Sequence, residues 1–230
     1  MTWWQLPRVP EPEVMDDSGE VEAYASAAAQ EHLEKIDDTF VEHALRLLPG
    51  RATGRALDIG TGPGQILLKL ALRLPGWEFT GVDRSPNMIA AARRAAVEKG
   101  VPPSRASFQV ADGNLLSFPD QSFDLVMCNS VLHHLAEPLR MLGEIARLAA
   151  PGGAVLLRDL RRPSRLALPG HIRWHGRNYS GEMYRLFVAS VRAAYTRDEI
   201  RALLRGSRLS GASIFAFGSA HLGIERAARA

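Results

Sequence analysis

The sequence predicts an α/β fold built on an open, doubly wound and mostly parallel sheet. Strand-like apolar runs alternate with helical runs from Arg55 to Leu160, the pattern of repeated strand–helix–strand units. One strand ends in the glycine-rich sequence LDIGTGPGQI at 57–66 and passes directly into a helical run. Two short strand-like runs, at 212–217 and 221–225, should add an antiparallel pair that closes the sheet.

Helix starts are well marked. Ser85-Pro86 supplies a capping side chain and then a proline at the first helical position. Thr196 and Glu199 have the spacing of a capping box, so a helix should begin there. After Leu160 the periodicity stops, and we expect an irregular, arginine-rich stretch over 161–179 and a helical segment over 180–195.

The glycine-rich turn is typical of a nucleotide-binding loop. Gly60, Gly62 and Gly64 allow positive φ angles and a close approach of the backbone to a ligand. The helix that follows offers unpaired N–H groups and the positive end of its dipole, so a polar or anionic ligand is expected. The G-x-G-x-G spacing, with Gln65 after the third glycine, departs from the dinucleotide pattern G-x-G-x-x-G and argues against a nicotinamide-dependent oxidoreductase.

Three carboxylates lie near the ends of three successive strand-like runs. Asp58 stands two residues before the first glycine. Asp83 closes the run 77–82, at roughly the distance of about 20 residues expected for a ribose-binding acid. Asp112 follows the run 106–111. The carboxyl ends of parallel strands share one edge of a sheet, where open α/β sheets bind their ligands.

These motifs resemble those of the class I S-adenosylmethionine-dependent methyltransferases, in particular the small-molecule group that includes ubiquinone and menaquinone biosynthesis enzymes. LDIGTGPGQ is similar to the family's first motif, GVDRSPNMI to the second, and ADGNLLSFPDQSFDLVMCNSVLHHL to the third and fourth. LAAPGGAVLLRDL is similar to the turn and strand that follow. The resemblance covers most of the chain. It implies a Rossmann-like, seven-stranded sheet and S-adenosyl-L-methionine as cofactor, with S-adenosyl-L-homocysteine as product.

The resemblance also implies the roles of individual residues in cofactor binding. Asp83 would accept the ribose hydroxyls, Asp112 would meet the adenine amine, and the main chain at Asn129 would take the methionine ammonium. Asp58 would orient the glycine loop, and Tyr24 resembles an N-terminal aromatic that folds over the cofactor. The residues expected to bind the cofactor are Tyr24, Asp58, Gly60, Thr61, Gly62, Gly64, Asp83, Arg84, Met88, Asp112, Gly113, Asn129 and Ser130.

The loop after the fourth strand should carry the catalytic groups. Asn129 would lie beside the donor methyl group, and His133 and His134 follow on the same loop. A histidine there suits proton removal near neutral pH, although packing or anchoring of the loop is the other interpretation of the pair. The only cysteine, Cys128, should point into the core and be inert, and no metal is expected.

Charge is divided between the two ends of the chain. Residues 1–49 hold eleven acids against three basic residues, and residues 158–208 hold twelve arginines against four acids. The two segments would pair with each other, or the arginines would bind an anionic acceptor, since the planar guanidinium suits carboxylate or phosphate. A small thiol is the other acceptor class left open. The residues expected to bind the acceptor are Arg162, Arg173, Trp174, Arg177 and Tyr179.

Length and composition indicate one domain, because 230 residues of which 46% are hydrophobic suffice for a single core. We expect an N-terminal helical lid at 1–50, a cofactor-binding core at 51–160, a substrate-side insertion at 161–195, and a C-terminal helix and strand pair at 196–230. No secretion signal or run long enough to span a membrane is present. A cytoplasmic protein is therefore expected, and its arginine-rich, lysine-poor composition suggests a GC-rich, bacterial genome.

Methylation of a small molecule is the function expected from these features. The arginine-rich segment suggests an RNA methyltransferase as the alternative, but a net charge of only +3 and the lack of an Asn-Pro-Pro-Tyr type motif weigh against nucleic acid as partner. A non-catalytic cofactor-binding protein is the other alternative. The nucleophilic atom stays open, because oxygen, nitrogen, sulfur and carbon acceptors all occur on this fold.

Overall fold

The structure is a computed structural model that describes residues 4–11 and 31–229. The helices in this part are α1 (Glu31–Arg46), α2 (Gln65–Arg73), α3 (Pro86–Glu98), α4 (Pro138–Leu148), α5 (Leu168–His175), α6 (Gly181–Ala193) and α7 (Arg197–Gly206). The strands are β1 (Gly54–Ile59), β2 (Trp77–Asp83), β3 (Ala106–Val110), β4 (Phe123–Asn129), β5 (Ala149–Leu160), β6 (Ser213–Phe217) and β7 (His221–Arg226). Short 3-10 turns lie at Leu132–His134 and Gly176–Asn178.

The strands form one seven-stranded sheet in the order β3-β2-β1-β4-β5-β7-β6. Strands β1 to β5 pair in parallel, and β7 is antiparallel to both β5 and β6. The predicted fold class is thus confirmed, including the C-terminal strand pair. The direction of winding reverses between β1 and β4, and a crevice at such a reversal, at the carboxyl ends of the strands, is where this class of sheet binds ligands.

Hydrophobic clusters cover both faces of the sheet. Alternate residues of β1 contribute to different clusters, because side chains along a strand point to opposite faces. Ala56 joins Phe40 of α1 in one cluster, and Leu57 joins Ile145 of α4 in the other. Cys128 lies in the second cluster, where burial raises the pKa of its thiol well above the usual value. Cys128 thus points into the core, as the sequence predicts.

The predicted helix caps are present, whereas α5 was not predicted. The Ser85 side chain accepts a hydrogen bond from the Met88 N–H, and Thr196 with Glu199 forms a complete capping box. Helix α5 occupies part of the stretch expected to be irregular. Its Pro169-Gly170 sequence is typical of a turn, but a proline in the first helical turn loses no hydrogen bond, so the helix tolerates it.

Residues 4–11 form a strap that crosses the loop after β4 and the end of α6. Arg8 holds it, donating hydrogen bonds to the carbonyl oxygens of Ala193 at 2.6 Å and His133 at 2.7 Å. The Arg8 guanidinium also lies 4.4 Å from the ring centroid of Tyr195. The strap thereby carries Glu11, a buried carboxylate, to the carboxyl edge of the sheet.

The acids of α1 pair mainly with α2, not with the arginines of 158–208. Asp38 lies 2.6 Å from Lys69, and Glu42 lies 2.8 Å from Arg73. Arg158 does reach α1, but it donates to neutral oxygens there. Of the helices that the structure describes, none combines the length and apolar character needed to cross a bilayer.

Candidate active site

A cavity of about 310 Å³ lies over the carboxyl edge of the sheet. One wall is formed by the glycine loop and by the ends of β2, β3 and β4, and the other by α1, α6 and the end of the strap. Many of the residues expected to bind the cofactor line it together: Gly60, Gly62, Asp83, Arg84, Met88, Asp112, Gly113, Asn129 and Ser130. Tyr24 lies outside the described residues.

The three glycines of the loop all have positive φ, but each meets different surroundings. A Cβ on Gly60 would lie 2.2 Å from Cγ2 of Val131, so this glycine permits tight packing against the loop after β4. A Cβ on Gly62 would meet no described atom within 4 Å, and this residue faces the cavity. A Cβ on Gly64 would crowd the core at 3.1 Å. Gly62 is therefore the point where the backbone is open to a ligand.

Two of the strand-end carboxylates hold the glycine loop. Asp83 accepts hydrogen bonds at 2.9 Å from the N–H groups of Gly62 and Ser85, and burial raises its pKa against the effect of these donors. Asp58 is buried and accepts a 2.8 Å hydrogen bond from Thr61 Oγ1; burial raises its pKa to about 7. Asp58, Thr61 and Gly64 do not line the cavity, so their part in the site is to support the loop from behind.

His133 is tied to a buried carboxylate of β5 that the sequence analysis did not select. Its Nδ1 lies 2.6 Å from Oδ1 of Asp159, and its backbone N–H donates to Oδ2 at 3.0 Å. Burial opposes charging of the imidazole, but Asp159 and Glu11 outweigh it and raise the pKa of His133 above the ordinary value. His133 in turn holds the pKa of Asp159 below its usual range, although burial acts to raise it.

Glu11 faces both histidines from the strap. Its Oε2 lies 3.8 Å from Nε2 of His133 and 3.7 Å from Nδ1 of His134, and accepts a 3.0 Å hydrogen bond from Ser190 Oγ. Burial and the neighbouring His133 lower the pKa of His134 to about 4. The donor atoms of Glu11, His133 and His134 lie within 4.8 Å of one another, which is a set that a divalent cation could reach.

Sequence reasoning missed Asp159 and Glu11 for different reasons. Asp159 lies at the carboxyl end of a parallel strand, as Asp58 and Asp83 do, so the same reasoning predicts it at the ligand-binding edge. Its neighbours in sequence are arginines, however, and these indicated an anion-binding segment instead. Nothing in the sequence near Glu11 signals its position, because the strap docks through tertiary hydrogen bonds of Arg8.

The wall of the cavity opposite the glycine loop is largely apolar. Met183, Leu186 and Phe187 of α6 line it, and the rings of Tyr179 and Phe187 pack with centroids 5.1 Å apart. Asp37 of α1 adds a carboxylate, whose pKa burial raises to about 6.

Of the residues expected to bind an acceptor, Tyr179 alone lines the cavity. Arg162 is buried elsewhere and donates hydrogen bonds to the Ala194 carbonyl oxygen and to Glu199, so it ties β5 to α7. The remaining three, Arg173, Trp174 and Arg177, lie exposed on α5 and the turn after it. The structure therefore does not support a cluster of arginines around the acceptor.

Comparison with known proteins agrees with this architecture. Residues 57–157 match the family model described as methyltransferase domain. Demethylmenaquinone methyltransferase of Thermus thermophilus is 38% identical over 120 residues, which are 52% of this chain and 53% of that protein. 27-O-demethylrifamycin SV methyltransferase of Amycolatopsis mediterranei is 30% identical over 177 residues, 77% of this chain and 61% of that protein. The chain thus spans about half to three-fifths of the length of these relatives.

The plantazolicin methyltransferase BpumL, solved in complex with SAH, has a TM-score of 0.70 to this chain at 15% identity, covering 93% of this chain and 91% of that one. At this identity the likeness shows the fold alone. Taken with the domain at 57–157, it confirms the resemblance found in the motifs. Residues 57–157 thus form a methyltransferase domain, and the chain resembles the class I S-adenosylmethionine-dependent methyltransferases in its motifs and fold.

Proposed function

We propose that this chain methylates a hydroxyl group of a small molecule, using S-adenosylmethionine as donor and His133 as general base. The observation that carries the proposal is that Gly62, Asp83 and His133 line one cavity, with His133 oriented by a buried carboxylate. The rifamycin relative supports an oxygen acceptor by its name, and both relatives are named as methyltransferases.

The residues at the carboxyl edge of the sheet fit this cofactor. No described atom fills the space in front of Gly62, so a ligand can contact the loop backbone directly. The carboxylate of Asp83 lies at the same point and suits a ribose diol, and Asp112 and Gly113 line the cavity beside it. When bound, S-adenosylmethionine supplies an electrophilic methyl group on a sulfonium.

His133 is arranged to take a proton from the acceptor. Asp159 holds Nδ1–H, which fixes the tautomer and leaves Nε2 as the basic atom. During methylation, Nε2 would take the proton of the acceptor hydroxyl, and Asp159 would stabilise the imidazolium that forms. The proton then passes to solvent. The other walls of the cavity hold the acceptor in line and exclude water.

A hydroxyl fits these surroundings better than an anion or a thiol. Arg84 is the only arginine among the described residues that line the cavity, whereas Glu11 and Asp37 bring carboxylates to it, so an anionic acceptor would be repelled. A thiol ionises close to neutral pH and gains little from a base, whereas a hydroxyl needs one. Met183 and Phe187 suit an apolar body on the acceptor.

The proposed activity is tested by incubating the purified protein with S-adenosylmethionine and pooled small molecules that carry hydroxyl groups, and by measuring S-adenosylhomocysteine by mass spectrometry. Product formed with a hydroxyl pool supports the proposal. Product formed only with bulk RNA would favour the RNA methyltransferase alternative. Cofactor binding without turnover of any pool would point to a non-catalytic binding protein.

The role of His133 is tested by replacing it with alanine. We expect His133→Ala to lower kcat by about 10² to 10⁴, the usual contribution of a general base, and to leave cofactor affinity within about twofold. Wild-type kcat should rise with pH through the raised pKa of His133, because only the neutral imidazole accepts a proton, and the variant should lose this dependence.

His43→Ala is the matched control for this variant. His43 also pairs with a carboxylate, at 2.5 Å from Glu225, but does not line the cavity. It should cost stability and leave kcat unchanged. An equal loss of kcat in both variants would contradict the base assignment. Loss of activity on chelation, restored by a divalent cation, would instead assign Nε2 of His133 to a metal ion held with Glu11 and His134.

A further inference from the structure

We propose that residues 161–179, together with Trp4, form a face that docks on an anionic lipid bilayer. The inference does not depend on the acceptor or on the proposed reaction. The backbone N–H of Arg165 donates a 2.9 Å hydrogen bond to the Trp4 carbonyl oxygen, which joins the strap to this segment. The docking face consists of the exposed side chains Trp4, Arg161, Arg165, Leu166, Arg173, Trp174 and Arg177.

The positive charge of the docking face is not neutralised within the described part of the chain. Residues 161–179 contain five arginines and no aspartate or glutamate. Arg162 is buried and pairs with Glu199, but the four exposed arginines form no ion pair with any described residue. Three exposed arginines on other helices pair with an acid three residues away: Arg140 with Glu137, Arg185 with Glu182, and Arg201 with Asp198. Exposed Arg94 and Arg205 form no ion pair with a described residue, so the docking face differs in the density of its unpaired arginines.

Large apolar side chains are exposed on the same face. Leu166 is 72% exposed, Trp174 is 64% exposed and Trp4 is 47% exposed. Helical turns begin at Ser164, whose carbonyl oxygen accepts the first hydrogen bonds of the segment. Leu166, Arg173, Trp174 and Arg177 therefore follow the spacing i, i+7, i+8 and i+11, which is one side of a helix. No residue of helix α5 is buried, so this side of the helix is open to contact with an external surface.

An anionic bilayer satisfies both features at once. Its negative surface attracts arginines, while tryptophan and leucine enter the boundary between headgroups and acyl chains. The indole is well suited to that boundary, because its ring is apolar and its N–H is polar. A nucleic acid would contact the arginines but leave Leu166 uncovered. The Arg177 guanidinium already lies 4.3 Å from the Trp174 ring centroid, where a stacked base would lie.

The docking face also adjoins the wall of the cavity formed by α6. The segment ends at Tyr179, which lines the cavity, and a Cβ on Gly176 would lie 3.1 Å from the ring of Phe187, another lining residue. A bilayer held against the docking face would thus lie beside the apolar wall, which places an apolar molecule dissolved in that bilayer close to the cavity.

The proposal is tested by sedimentation with vesicles of phosphatidylcholine alone and with vesicles containing one third phosphatidylglycerol. The wild-type protein should bind the anionic vesicles, more weakly at high salt, and should not bind the neutral ones. Arg173→Gln combined with Arg177→Gln should lower the partition coefficient about 25-fold, since each arginine near an anionic leaflet contributes roughly fivefold. Trp174→Ala should lower it at least about fivefold as well, through the lost ring.

Arg94→Gln combined with Lys99→Gln is the matched control. It removes the same charge from exposed positions near the end of α3, which packs on β2 and β3 at one edge of the sheet. The docking face lies near the opposite edge, where His175 contacts Ser219 in the β6–β7 turn. The control variant should bind vesicles within about twofold of wild type. A blue shift of tryptophan fluorescence on anionic vesicles, lost in Trp174→Phe, should report entry of the ring into the boundary.

Three results would overturn the proposal. The first is no binding of wild-type protein to anionic vesicles at low salt. The second is a loss of vesicle partitioning in the control variant as large as in the double arginine variant, or a partition coefficient that Trp174→Ala leaves unchanged. Either outcome would mean that net charge alone is responsible for vesicle binding. The third is binding of single-stranded RNA that depends on Arg173 and Arg177 without binding to vesicles, which would assign the face to nucleic acid.

Discussion

Gly62 is the residue at which the loop backbone meets the cavity, and this gives its substitution a specific signature. An alanine there keeps a positive φ of +53° and projects its methyl group into open space. The left-handed conformation costs a non-glycine residue about 1–2 kcal/mol, and no clash is added. Gly62→Ala should therefore leave a folded protein while its methyl group obstructs the ligand.

We expect Gly62→Ala to weaken S-adenosylmethionine binding at least about tenfold, equivalent to about 1.4 kcal/mol, as measured by isothermal titration calorimetry. Gly50→Ala is the matched control, because Gly50 has a φ of +70°, also lacks neighbours within 4 Å of a Cβ, and does not line the cavity. Both variants should lose similar stability, and only the first should lose affinity. Equal cofactor affinity in the two variants would remove the glycine loop from the cofactor site.

Sequence reasoning succeeds at this scale where a residue's position follows from local chain geometry. Asp83 and Asp112 were selected because each follows a strand, and both line the cavity. Arg162 was misjudged, because charge and residue type do not reveal whether a side chain turns into the core; its partners, Ala194 and Glu199, are more than 30 residues away. Such contacts depend on packing that a single sequence does not display.

At the level of whole elements, capping residues predicted where helices begin more reliably than a lack of apolar periodicity predicted where helices are absent. Helices α3 and α7 begin at the capping residues that the sequence indicated, because a side chain that accepts from an unpaired N–H acts locally. Helix α5 was overlooked because Pro169 and Gly170 are turn formers and no residue of this helix is buried, so no apolar stripe marks it.

The capping box of α7 should contribute measurably to stability. Thr196→Ala removes the side chain that accepts from the Glu199 N–H, and we expect the free energy of unfolding to fall by about 1 kcal/mol, or roughly 2–4 °C in Tm. Ser180→Ala is the control: Ser180 precedes α6 in an extended conformation, but its side chain makes no capping hydrogen bond. A loss in Ser180→Ala as large as in Thr196→Ala would mean that the cap is not the cause.

At the scale of the whole molecule, the candidate site depends on segments far apart in sequence. Glu11 comes from the strap, Asp83 from β2, His133 from the loop after β4, and Phe187 from α6. Of these four residues, only the sheet edge that carries Asp83 and His133 could be predicted, because strand order follows from the repeated strand–helix units. The strap and α6 complete the cavity through tertiary contacts such as those of Arg8.

Buried titratable groups link the stability of the whole fold to pH in opposing directions. Burial lowers the pKa of His221 to about 3 and those of His134 and His171 to about 4, so unfolding in acid allows these residues to take up protons. Stability from this source is lost as pH falls below about 6.5. Asp58 and Asp37 act the other way: with raised pKa values, the folded protein keeps protons on these carboxyl groups that the unfolded chain releases above about pH 4. This contribution to stability declines as pH rises from about 4 and is lost once pH exceeds the folded pKa values of about 6 and 7.

A single substitution can separate these contributions. In wild type, His221 is neutral when folded and charged when unfolded between about pH 6 and pH 4, which lowers the free energy of unfolding by about 1.4 kcal/mol per pH unit. His221→Gln abolishes this dependence. Urea unfolding at pH 7 and pH 4.5 should therefore show wild type losing about 2–3 kcal/mol more than the variant, whereas between pH 7 and pH 8 the two should change in parallel. Equal losses down to pH 4.5 would mean that His221 is already charged in the folded protein.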